Sequence, residues 1–128
     1  MPLIRPFRGL RPAPDRAGQI IAPPYDVMNT AEARAMVEGR PLSFLHVSRP
    51  EVDLPTDTDP YADAVYAKGA ENLRRMIADG VLRQDDAPCY YAYRLVMDGR
   101  AQLGLVIVAS VNAYDEYSIR RHEFTRPD

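Results

Sequence analysis

The residues best suited to chemistry gather near the end of the chain, at Arg120, Arg121, His122, Glu123, Thr125 and Arg126. Arginine presents planar, paired donors to a phosphate or carboxylate. His122 moves protons near neutrality, and Glu123 serves as a base or as an oxygen ligand for Mg²⁺. If Glu123 opens a helix, its first-turn N–H groups add to the pull on an anion. The same residue types also make an ordinary solvated loop, and composition by itself favours that plainer reading. A second candidate lies early. Pro23 and Pro24 stiffen the backbone directly after an apolar run and hold Tyr25 and Asp26. Asp26 either faces a ligand as a base or metal ligand, or only closes a turn. Arg5 and Arg8 sit in an N-terminal arm (Met1 to Pro14) with four prolines and three arginines, which excludes a helix there.

Other chemistries are absent from the pattern. There is no P-loop, no dinucleotide glycine fingerprint and no HExxH zinc pattern. One cysteine, Cys89, allows neither an internal disulfide nor a cysteine metal cluster, and a buried strand thiol is expected for it. Net charge is −2 and the isoelectric point is about 5.7, so no basic field recommends nucleic acid as a partner. No apolar run approaches the roughly 20 residues of a membrane helix, and no signal-peptide core opens the chain. A cytoplasmic location is expected.

The elements that must carry these residues follow from turns and periodicity. Asp98-Gly99 lies between two apolar, β-rich runs and predicts a tight hairpin, with Met97 opposite Arg100 and Tyr93 opposite Gly104. Tyr91, Tyr93 and Leu95 then share one face with Val106 and Val108. Tyr90, Ala92, Val96, Ala101, Leu103, Leu105, Ile107 and Ala109 share the other. Both faces are largely apolar, which predicts a hairpin inside a covered sheet. Asn29 or Thr30 caps a helix that ends at Glu38 and Gly39. Pro60 opens a longer helix, with Leu73, Met76 and Ile77 on its apolar stripe and Gly80 as its stop. Gly69 on that stripe implies close approach to another element. Runs at 19–22 and 42–47 read as strands, and His46 as a hydrogen-bonded structural histidine. A single α+β (mixed α/β) domain over 1–128 is expected, with helices packed on a small mixed sheet that contains the hairpin. Leu73, Ile77, Leu105 and Ile107 are assigned to its core.

Three runs carry a family resemblance: Ile4-Arg5-Pro6-Phe7-Arg8-Gly9, Ala22-Pro23-Pro24-Tyr25-Asp26-Val27 and Ile119-Arg120-Arg121-His122-Glu123-Phe124-Thr125. With them the chain resembles the bacterial and archaeal DUF 1015 family, whose function is unknown. Members are usually several hundred residues long, so the chain looks like the N-terminal portion of a longer family protein. The early proline-rich loop and the late charged motif also look like the ParB/sulfiredoxin-like group, which includes nucleotide-binding partition proteins and free-serine kinases. By that analogy the chain is a phosphate- or nucleotide-binding phosphotransferase domain acting on a small metabolite. Mg²⁺ with a nucleotide or pyrophosphate would be its cofactors. The rival is a non-catalytic regulatory or assembly module whose arginines bind an acidic partner. Tyr25 and Asp26 are expected to approach His122 and Glu123, with Arg5 or Arg8 nearby, in a shallow pocket completed by a second copy.

Overall fold

A computed structural model of the chain describes residues 3–116, 118 and 119. Helices and small antiparallel ladders give an α+β fold, as expected. The chain forms two compact units, one over Leu10–Gln84 and one joining Met1–Gly9 to Asp85–Asp128.

In the Leu10–Gln84 unit, β2 (Leu10–Pro12) pairs antiparallel with β3 (Leu82–Gln84), and β1 (Ile4–Arg5) precedes it in the other unit. Between the two strands of the ladder come α1 (Ala17–Ile20), α2 (Thr30–Val37), α3 (Leu45–Ser48) and α4 (Asp63–Ala78). The core is Ile20, Met76, Val81 and Leu82, with Leu42, Val47 and Leu73 packed against it. α2 begins in a capping box. Asn29 Oδ1 accepts from Glu32 N at 2.9 Å, and Glu32 Oε2 accepts from Asn29 N at 2.8 Å. Gly39 and Gly80 take φ of 68° and 69°, the left-handed stops expected after α2 and α4. α4 starts later than Pro60, because Asp59 Oδ1 accepts from Tyr61 N and folds 59–62 into a turn of its own. Gly69 does mark a close approach: a Cβ there would stand 3.2 Å from both Pro50 Cγ and Val47 O.

The runs at 19–22 and 42–47 are not strands. Ile21 N bonds to Ala17 O, Val47 N to Phe44 O and Ser48 N to Phe44 O, so each run closes a helical turn, and a single backbone bond, Phe44 N to Ile20 O at 2.8 Å, joins them. An apolar run this short does not distinguish strand from helix, and among the described residues neither run joins a ladder. His46 is a buried, hydrogen-bonded structural histidine, as expected, although it sits in a helix. Its Nδ1 lies 2.9 Å from both Asp53 carboxylate oxygens, and Nε2 lies 3.2 Å from Arg40 O. Asn72, fully buried, donates from Nδ2 to Asp53 Oδ2 at 2.8 Å and to His46 O at 2.7 Å. Arg34 reaches from α2 to the carbonyls of Glu51, Val52 and Leu54 at 2.6–3.0 Å. The turn Pro50–Asp53 is therefore held from three helices by polar side chains.

In the other unit, β4 (Tyr91–Met97) and β5 (Arg100–Val106) form the hairpin in the expected register, with Met97 opposite Arg100 and Tyr93 opposite Gly104. Asp98 and Gly99 take φ of 51° and 76°, as a tight primed turn requires. β6 (Val108–Ala109) pairs with β1, and α5 (Val111–Asp115) follows, its Ala113 N–H donating to Ser110 Oγ.

The small mixed sheet does not exist among the described residues. Three two-stranded antiparallel ladders replace it, because the runs that should have joined the hairpin closed on themselves as helical turns. Beyond Tyr91 both faces of the hairpin are exposed, with Leu103 71% and Leu105 63% on one and Tyr93 56% and Leu95 52% on the other. Leu105 is thus not core, and Ile77 on α4 is 45% exposed; Leu73 is only partly buried. Cys89 is also exposed, its thiol donating to Ala87 O, because it lies before the hairpin in a bridge to Phe7 and not inside a sheet.

Candidate functional site

The N-terminal arm is built into its unit by the residues of the first motif. Ile4 and Arg5 lie opposite Ala109 and Val108. Phe7 exchanges both backbone hydrogen bonds with Cys89, at 3.0 and 2.9 Å, and its ring centroid stands 5.1 Å from that of Tyr91. Arg8 Nε donates to Asp85 O at 2.7 Å. Gly9 N–H donates to Tyr91 Oη at 2.6 Å, and a Cβ on Gly9 would stand 2.7 Å from the tyrosine ring and hydroxyl. Only glycine fits beneath that phenol. Tyr91 Oη in turn donates to Asp85 Oδ2 at 2.5 Å. The hydrogen bond to the Asp85 carboxylate, aided by desolvation, raises the phenol above its ordinary value.

The Pro-Phe-Arg-Gly run is therefore an architectural clamp on Tyr91 and Asp85, partners the sequence did not indicate. A glycine between two arginine-bearing positions was the available signal, and it is ambiguous until the facing aromatic is known. Arg5 and Arg8 remain candidate anion donors on this arm, and both make further contacts within the protein.

Tyr25 and Asp26 lie in the other unit, in a one-turn 3-10 helix, Tyr25–Val27. Pro24 precedes it with φ −54° and ψ 142°, and Val27 N bonds back to Pro24 O at 3.4 Å. Both side chains are exposed, with Ile21 and Val27 exposed beside them in sequence. Two prolines fix φ and leave the short turn projecting, which is the placement expected of a ligand-contacting loop. In the same unit Arg40 reaches Ile21 O at 3.4 Å and lines a cleft of about 220 Å³ with Gln19 and Leu42.

Arg120, Arg121, His122, Glu123 and Thr125 lie outside the described residues, so the expected meeting of Tyr25 and Asp26 with His122 and Glu123 falls there too. The chain that leads to them is described. β6 runs through Ser110 into α5, and Leu3, Ser110, Asn112, Glu116 and Ser118 line a polar cleft of about 450 Å³. Among the described residues no three histidine, cysteine, aspartate or glutamate side chains gather to hold a metal ion. No described helix is long and apolar enough to cross a membrane.

The sequence matches the model of a family described as a protein of unknown function (DUF1015) over residues 4–128. No curated protein and no solved structure matches it, so the likeness to the ParB/sulfiredoxin group gains no support from a known fold. The matched span runs from the clamped N-terminal arm to the charged C-terminal run. The chain belongs to the DUF1015 family.

Proposed function

We propose that the chain is a phosphate-binding domain serving phosphoryl transfer to a small metabolite. The observation that carries this reading is the pairing of β1 with β6. Arg5 lies opposite Val108, and Arg120 and Arg121 follow Val108 twelve and thirteen residues later in sequence. The strand that pairs with the Arg5 segment is therefore the one that leads, in sequence, toward the second arginine-bearing run. In this reading Arg5, Arg8, Arg120 and Arg121, with His122 and Thr125, hold the phosphate, and Glu123 acts as base or binds Mg²⁺. Fixed cationic donors around a transferring phosphoryl group provide most of the stabilisation such a reaction needs. Tyr25 and Asp26, on their stiff turn in the Leu10–Gln84 unit, are a separate candidate ligand contact of that unit.

Thermal melts with pyrophosphate, nucleoside triphosphates and amino acids, with and without Mg²⁺, test the proposal. A ligand that binds the folded chain raises its melting temperature in proportion to the logarithm of its concentration over Kd. The shift should vanish in Arg5→Ala and in Arg120→Ala/Arg121→Ala, and persist in Arg74→Ala on the exposed side of α4. No shift at millimolar ligand, or a shift that survives the double variant, refutes the reading.

A second reading, a non-catalytic assembly or regulatory module for an acidic partner, draws on the bare apolar hairpin with Arg94 and Arg100 upon it. It predicts no small-molecule shift in the same melts.

A further inference from the structure

We draw no further inference here: the strongest candidate, the exposed apolar face that Val96, Leu103 and Leu105 form on the β4–β5 hairpin, carries nothing, because no further strand joins the hairpin among the described residues and nothing in the structure shows what covers that face.

Discussion

Replacing Asn72 tests the polar tie that holds the Pro50–Asp53 turn to α4. The side chain is fully buried. Its Nδ2 donates to the Asp53 carboxylate at 2.8 Å and to His46 O at 2.7 Å, while Oδ1 has no hydrogen-bond partner among the described residues. A hydrogen bond to a charged acceptor contributes about 1.5–3 kcal/mol and one to a neutral carbonyl about 0.5–1.5 kcal/mol. Asn72→Leu loses both, about 2–4.5 kcal/mol. It also removes the unpartnered oxygen, whose burial costs about 1–3 kcal/mol. The middles of these ranges leave a net loss of about 1 kcal/mol, or a fall in melting temperature on the order of 4–8 °C for a unit of this size. Asn72→Asp should cost more, because it sets a buried carboxylate against that of Asp53 and removes the donor. Urea denaturation followed by far-UV circular dichroism is the assay. Four of the five described α-helices lie in the Leu10–Gln84 unit, so the signal reports mainly on it. The midpoint should fall with the slope unchanged. A leucine variant as stable as the wild type, or an aspartate variant no worse than the leucine one, would refute the reasoning.

Two further outcomes follow from burial and from the clamp on the N-terminal arm. Leu45→Ala, at a fully buried position, should lose about 2–5 kcal/mol, whereas Ile77→Ala, on the half-open side of α4, should lose less than about 1 kcal/mol; paired urea midpoints check the contrast, and equal losses would contradict the burial pattern. Tyr91, with its phenol raised by Asp85, should be among the last of the eight tyrosines to ionise. Its contribution to stability is complete below the ordinary phenol value near 10 and is lost as pH rises through the higher folded value. Ultraviolet titration should show a late component that disappears in Tyr91→Phe and moves earlier in Asp85→Asn, and an unchanged profile in both variants would rule out the clamp.

Signals that act within a few residues were legible in the sequence. Asp98-Gly99 set the hairpin register because both turn residues must take positive φ. Asn29 or Thr30 was legible as a helix cap, and the structure assigns the cap to Asn29, which closes a box with Glu32. Gly39 and Gly80 stopped their helices for the same local reason. Gly69 announced a close approach because a glycine on an apolar stripe leaves room for something, though not which element. The runs at 19–22 and 42–47 were illegible. Four to six apolar residues suit a strand or a helical turn equally, and the choice rests on whether another strand is available beside them.

Only the tertiary structure decided where the apolar surface goes. Both faces of the hairpin read as apolar, and the hydrophobic effect predicts burial of both. Among the described residues no third strand joins it, so Leu103 and Leu105 are exposed. The first motif offers Arg5 and Arg8 as candidate anion donors, and the sequence does not show what else it holds. Placed against β4, it closes on Tyr91 and Asp85, and Gly9 exists to admit a phenol oxygen 82 positions away in sequence. Local backbone geometry is written into neighbouring residues and can be read from them. What a side chain faces depends on segments brought together from far along the chain, and no local pattern contains that.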